Sequence, residues 1–314
     1  MPQISRGLDF DPDRDIPRLT GKVILITGGT AGLGRETLLS LAAHNPSRIL
    51  FTGRSQSSAD EVLQEIRTRD LSVSVSFVPC NLASLNHVCD AAHNILAQTD
   101  RLDLAFMNAG IMAVPPGLTD DGYEIQFGTN HLGHALLVKL LTPLLETTAK
   151  TTGDVRVIWT TSQGYAGHPR GGIVFDRLKT DMHDYLLAPW QLYGQSKLAN
   201  MVYAKAYNRH NPDILSVAIH PGVAYTGLVT RLSWVSRMFT YVSTWRVRIS
   251  AEQCAWNQQW AATARRGDGK GEVRSGVYYE PVGVETKVIR RGGDDELGER
   301  LWEWTEKELQ RYQL

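Results

Sequence analysis

The sequence predicts an α/β protein organised as a doubly wound parallel sheet. Three observations carry this. Short apolar runs alternate with helical patterns as far as residue 219. The first run, Val-Ile-Leu-Ile at 23–26, is continuously apolar, as expected of a strand covered on both faces. A glycine-rich turn from Gly28 to Gly34 lies between that run and the first helical pattern.

The elements follow in order. Residues 22–26 read as a buried strand and 33–43 as the helix behind the glycine turn. Residues 48–52 form the second strand and 59–69 a helix. Residues 72–78 alternate and read as a third strand. Residues 104–107 make a fourth and 155–160 a fifth, with 122–147 mostly helical between them. Residues 192–209 form another helix, followed by a strand at 215–219. Residues 251–264 read as helix and 275–279 as a last strand. The glycine-rich, charged stretch 265–272 reads as an exposed loop. Residues 1–20 form a polar N-terminal extension with Pro2, Pro12 and Pro17, and 21–314 a single domain. Residues 223–249 lie where a substrate-covering insertion fits. No internal repeat or domain linker stands out.

Composition narrows the function classes. The chain has 314 residues, enough for a substantial core, and its 33 basic and 33 acidic residues cancel. That balance offers no broad basic field for nucleic acid. Cys80, Cys89 and Cys254 have no metal-ligand spacing, so no metal site is expected, and their odd number argues against a disulfide framework. The N-terminus has no apolar signal core, and no apolar run is long enough to span a bilayer. A cytoplasmic protein is expected. The aromatic stretch 234–245 is read as pocket or core rather than as a membrane contact.

The glycine turn suits a dinucleotide. Gly28, Gly32 and Gly34 let backbone approach a pyrophosphate, and the following helix, with Leu33 in its first turn, offers unpaired N–H groups. Thr30 lies within the same turn. At the end of the second strand comes Thr52-Gly53-Arg54-Ser55. An acid there would bind a ribose 2′-hydroxyl, and none is present. Arg54 either pairs with a 2′-phosphate, favouring NADP(H), or is a solvated loop arginine.

A second group carries chemistry. Tyr193 and Lys197 are four apart and share a helix face. An ammonium near a phenol is expected to lower its pKa, making Tyr193 a candidate general acid/base. Ser162 follows the fifth strand and is placed to bond a carbonyl oxygen. Asn108, Ala109 and Gly110 follow the fourth, beside the cofactor. Asn130 interrupts a helical pattern for which asparagine is poorly suited. It is either buried, ordering water for a proton relay, or exposed.

Taken together, these motifs resemble the short-chain dehydrogenase/reductase family from about Gly21 onward, within the Rossmann fold. The resemblance rests on the Gly28/Gly32/Gly34 turn, Asn108-Ala109-Gly110, Asn130, Ser162, Tyr193 with Lys197, and His220-Pro221-Gly222. Ile111-Met112, the run from Asn130 to His134 and the run from Ser196 to Asn200 are similar to the retinol-dehydrogenase-like branch and its fungal relatives. The resemblance implies Asn130, Ser162, Tyr193 and Lys197 as the catalytic set, with Lys197 also holding the nicotinamide ribose. It places Pro221, Gly222, Val223 and Thr226 near the nicotinamide, and Asn81 and Leu82 near the adenine. Asn81 stands where the family often has aspartate.

The expected activity is hydride transfer between NADP(H) and a carbonyl or alcohol carbon. Trp190, Tyr225, Trp234, Met238 and Phe239 are candidate pocket residues, alongside Ser162 and Tyr193; each also suits core packing. Their bulk favours a large apolar or aromatic small-molecule substrate. A homodimer is compatible with the family. The rival readings are an NADP-binding isomerase or dehydratase, and a non-enzymatic cofactor-binding regulator.

Overall fold

The computed structural model describes residues 7–69, 73–224 and 248–313. One mostly parallel sheet of eight strands dominates it. The strands are β1 (Val23–Thr27), β2 (Arg48–Gly53), β3 (Ser74–Pro79), β4 (Leu104–Met107), β5 (Val155–Thr160), β6 (Ile214–Ile219), β9 (Tyr278–Glu280) and β10 (Val284–Glu285). Two further strands, β7 (Val223–Ala224) and β8 (Arg248–Ile249), pair in parallel outside this sheet. Spatial order is β10-β9-β6-β5-β4-β1-β2-β3. All neighbours run parallel except β10, which returns antiparallel along β9.

Side-chain period two divides β1 between two cores. Val23 and Leu25 point to one face, with α4 (Leu85–Gln98), α6 (Gly133–Thr152), α7 (Ala188–His210) and α9 (Asp295–Glu308). Ile24 and Ile26 point to the other, with α2 (Gly32–Ala42), α3 (Gln56–Thr68) and α8 (Ala251–Thr263). Ile24, Leu25 and Ile26 are fully buried. Each contributes about 1.5–3 kcal/mol of apolar transfer free energy.

Local chemistry sets the helix ends. The Ser55 hydroxyl accepts from Ser58 N–H and caps α3. Ser250 and Gln253 form a reciprocal capping box on α8. Gly153 ends α6 in the left-handed region, at φ +71°.

Several elements depart from the sequence expectation. The third strand covers Ser74–Pro79, residue 72 of its expected span lying outside the described residues, and the strand expected over 275–279 covers Tyr278–Glu280. The helix expected over 122–147 starts with the single turn α5 (Ile125–Phe127), passes through a π-helical turn at Gly128–Leu132, and continues as α6 to Thr152. The helix expected from 192 begins at Ala188. Helices α4 and α9 were not anticipated. Nor is the N-terminal extension wholly peripheral. It forms a short helix, α1 (Pro12–Asp15), and its Phe10, Ile16 and Leu19 are buried in the core. The stretch 265–272 is a mainly exposed loop.

Candidate active site

The sheet register gathers the motifs at one edge. Thr27 pairs with Thr52, Gly53 with Pro79, Met107 with Trp159, and Thr160 with Ile219. Each of these residues lies at the carboxyl end of its strand. The segments that follow therefore emerge side by side: Gly28–Gly34, Arg54, Asn81–Leu82, Asn108–Gly110, Ser162 and Pro221–Val223. Between β1 and β4 the chain order reverses, which opens the crevice where ligands of such sheets bind.

The glycine turn is built for close backbone approach. Gly28 has φ +69°, and a Cβ there would lie 3.0 Å from Ala109 Cβ. A Cβ on Gly34 would lie 2.3 Å from the Gly28 carbonyl oxygen and 2.6 Å from Asn108 Nδ2. The turn and the Asn108–Gly110 segment are thus packed against each other. Asn108 Nδ2 donates to the Thr27 carbonyl at 2.9 Å, and the N–H groups of Asn108 and Ala109 donate to Thr27 Oγ1 at 2.9 and 3.0 Å. Thr30 borders the same turn, near where a Gly53 Cβ would project. Arg54 is exposed immediately beyond Gly53. Asn81 accepts from Ala83 N–H at 3.2 Å, and Leu82 is buried.

Tyr193 and Lys197 are both buried in α7, 8% and 4% exposed. Lys197 Nζ lies 5.8 Å from the Tyr193 ring centroid and donates to the Thr160 carbonyl at 3.0 Å. Ser162 is adjacent: a Cβ on Gly164 would lie 3.0 Å from Tyr193 Cε1 and 3.3 Å from Ser162 Oγ. Ser162 Oγ accepts from Gly164 N–H at 3.1 Å and is hydrogen-bonded to the Tyr193 phenol.

The electrostatics reverse one expectation. The Tyr193 phenol is raised above its ordinary value, chiefly by burial, with a hydrogen bond to Ser162 opposing. Burial lowers Lys197 to about 8. Loss of hydration outweighs the Ser162 bond at the phenol, while the Lys197 ammonium makes its own bond to the Thr160 carbonyl.

Asn130 is fully buried in the π-helical turn. Its Oδ1 accepts from Ile111 N–H at 2.8 Å, and its Nδ2 donates to the Ile111 carbonyl and to Ser196 Oγ, each at 2.9 Å. Both amide hydrogens are engaged within the protein. The side chain is therefore a clamp on Ile111 and Ser196 rather than a free donor to water. It still adjoins Lys197: a Cβ on Gly110 would lie 3.0 Å from Asn130 Oδ1 and 3.4 Å from Lys197 Nζ.

Trp190 is half-buried against Met112 and Ala113, one helical turn before Tyr193. Pro221, Gly222 and Val223 are half-buried beyond β6, with Gly222 at φ +91°. Tyr225, Thr226, Trp234, Met238 and Phe239, and the aromatic stretch around them, lie outside the described residues. Thr27, Thr161 and His134 were not among the expected site residues. Thr27 gathers the bonds described above, and Thr161 Oγ1 donates to the Lys197 carbonyl at 2.6 Å. His134 lies 2.9 Å from both Thr27 Oγ1 and the Asn130 carbonyl. Among the described residues there is no metal-binding cluster and no helix long and apolar enough to cross a membrane.

Known proteins are similar to this chain in sequence and architecture. The family model for short chain dehydrogenase matches residues 22–172. An uncharacterized oxidoreductase of Schizosaccharomyces pombe is 33% identical over 298 residues, covering 93% of this chain and 86% of that protein. Retinol dehydrogenase 13 of Homo sapiens is 31% identical over 291 residues, covering 90% and 83%. A crystal structure of an uncharacterized protein from Mycobacterium Paratuberculosis matches with a TM-score of 0.70 at 25% identity, over 95% of this chain and 96% of that one.

Proposed function

This chain belongs to the short-chain dehydrogenase/reductase family, and on that premise we propose that it is an NADP(H)-dependent oxidoreductase acting on the carbonyl or alcohol carbon of a bulky apolar or aromatic substrate. The observation that carries the reading is the convergence of Ser162, Tyr193 and Lys197 on the sheet edge that bears the glycine turn.

The chain fits the cofactor. The pyrophosphate has a place at the Gly28–Gly34 turn, where a Cβ on Gly34 would collide with Gly28, and at the amino end of α2. Thr30, Leu33, Asn81, Leu82 and Asn108–Gly110 border the nucleotide, and Pro221–Val223 border the nicotinamide. Arg54 supplies the charge for a 2′-phosphate, with no acid at Gly53 or Ser55 to repel it. When bound, the cofactor supplies or accepts the hydride.

The protein's share of the chemistry is proton transfer and orientation. In reduction, Ser162 donates a hydrogen bond to the substrate oxygen and Tyr193 protonates it. A buried phenol held above its ordinary pKa keeps that proton until the oxygen becomes basic. The Lys197 ammonium then stabilises the phenolate left behind and bonds the ribose. Asn130 holds Ser196, the neighbour of Lys197, and the Ile111 backbone in place. Trp190, with Tyr225, Trp234, Met238 and Phe239, is assigned to the substrate. The name of the human relative, a retinol dehydrogenase, supports a large apolar substrate.

A screen for NADPH oxidation against bulky ketones, aldehydes and quinones tests the proposal. Stoichiometric cofactor loss with at least one of them is expected. Conversion of a substrate without cofactor loss would show an isomerase or dehydratase. Tight NADPH binding with no turnover across the panel would show a regulator.

A further inference from the structure

We propose that His134 is a positioning residue: through one chain of hydrogen bonds it fixes the glycine turn and the Asn108–Gly110 turn relative to the π-helical turn that carries Asn130. The consequence for turnover rests on the oxidoreductase reading above; the chain of bonds itself does not.

The ring is fully buried at the start of α6, four residues after Asn130. Its Nδ1 lies 2.9 Å from the Asn130 carbonyl oxygen. A carbonyl only accepts, so Nδ1 holds the hydrogen. Burial and the nearby Lys197 keep the ring neutral, at a pKa of about 4. Nε2 is then an acceptor, 2.9 Å from Thr27 Oγ1. The Thr27 hydroxyl donates to it and accepts the N–H groups of Asn108 and Ala109.

The chain of bonds runs from the backbone after β4, through the last residue of β1, to the π-helical turn. Thr27 directly precedes Gly28. Asn130 holds Ser196, the neighbour of Lys197. One imidazole therefore sets the distance between the cofactor turn and the proton-transfer groups. The Phe106 carbonyl, 3.1 Å from Thr27 Oγ1, offers the hydroxyl hydrogen a competing acceptor. An Nε2-protonated ring would force the hydroxyl hydrogen onto that carbonyl, so the tautomer of His134 is a direct test of the proposal.

Nitrogen-15 NMR of histidine-labelled protein reads that tautomer. A neutral His134 protonated at Nδ1 is expected at neutral pH. An Nε2-protonated tautomer, or an imidazolium, would overturn the chain as drawn. His134→Phe keeps an aromatic ring and removes both bonds. It is expected to weaken NADPH binding and to lower kcat by on the order of 10²-fold, the scale of an ångström-sized misplacement of reacting groups. Thr27→Val should weaken NADPH binding similarly, and Thr27→Ser should recover most of that affinity. The double variant should be no worse than Thr27→Val alone, since that variant already breaks the bond to His134 as well as those to Asn108 and Ala109. Additive losses, or no rescue by serine, would refute the proposal. If His134→Phe does not fold, the wild-type tautomer and the Val/Ser pair at Thr27 still decide. If the tautomer and the rescue hold but NADPH is never consumed, the oxidoreductase reading falls and the strut stands.

Discussion

Removing the charge at Lys197 gives the most searching test of the mechanism. Lys197→Met keeps an unbranched apolar stem in a buried site and deletes the ammonium. Taking the 5.8 Å from Nζ to the Tyr193 ring as the separation, a unit charge stabilises a phenolate by about 3 kcal/mol at an effective dielectric of about 20. That is roughly a 100-fold effect on the rate of protonating the substrate oxygen. Burial holds the lysine at about 8, so the cationic form prevails below that pH and is lost above it. For the free enzyme, kcat/KM for ketone reduction should be flat near pH 7 and fall through an apparent pKa of about 8. Lys197→Met should run about 100-fold lower near pH 7 and lose that basic limb. The assay is initial-rate nicotinamide absorbance from about pH 6 to about pH 10, with unfolding curves to confirm that each protein is folded. A methionine variant that keeps the limb near 8 would show that another group titrates, and the assignment to Lys197 would fail.

Four further outcomes follow from the same geometry. Tyr193→Phe should retain folding and NADPH binding while kcat falls by roughly 10²–10⁴-fold; near-normal turnover would remove Tyr193 as proton donor. Arg54→Ala should weaken NADPH by about 1.5–3 kcal/mol and leave NADH nearly unchanged, and equal losses in parallel titrations would discard the 2′-phosphate contact. A Cβ at Gly34 would sit 2.3 Å from the Gly28 oxygen, so Gly34→Ala should push the turn apart and cut NADPH affinity about 10-fold or more, within the ~1–3 kcal/mol of overpacking strain; unchanged binding by fluorescence titration would refute the close-approach argument. Glu124 is buried and raised to about 7 from an ordinary 4.5, so the folded state binds its proton more tightly and the stability it lends fades as pH climbs between those values; Glu124→Gln should gain on the wild type by on the order of 3 kcal/mol from about pH 4.5 to about pH 8, and denaturant curves that stay parallel across that range would contradict it.

The sequence revealed those parts of the fold that local chemistry forces. An uninterrupted Val-Ile-Leu-Ile followed by glycines has few other uses, and the turn stands where that pattern puts it. Tyr193 and Lys197 were legible because helical spacing alone makes them neighbours. Helix α4 was hidden because its buried stripe of Leu85, Val88, Ala91, Ala92 and Ile95 is diluted by small side chains. Helix α9 was hidden by charge: Leu297, Leu301, Trp302 and Trp304 pack against the core, but acidic and basic residues stand between them. The π-helical turn at Asn130 has no compositional signature, since tertiary bonds to Ile111 and Ser196 stabilise it. The direction of the Tyr193 shift was misread for a related reason. Spacing shows which charge is near but not how much water is removed, and here the water decides. His134 is a lone histidine on an apolar helix until β1 is packed beside it.

The margins of the sheet bear on how this chain behaves in a crowd. Strands β1, β5 and β6 are buried along their whole length, and such segments, when unfolded, adhere to copies of themselves. In the folded molecule they are interior. One outer strand, β10, is two residues long, and its Glu285 is paired with Arg274. The other, β3, ends in Pro79, which has no N–H to offer a newcomer, and carries Ser74 and Ser76 among its apolar residues. Neither border is a long apolar template for strand addition. The hazard of self-association through these strands therefore belongs to the minutes of synthesis and refolding, and it closes when the two margins dock.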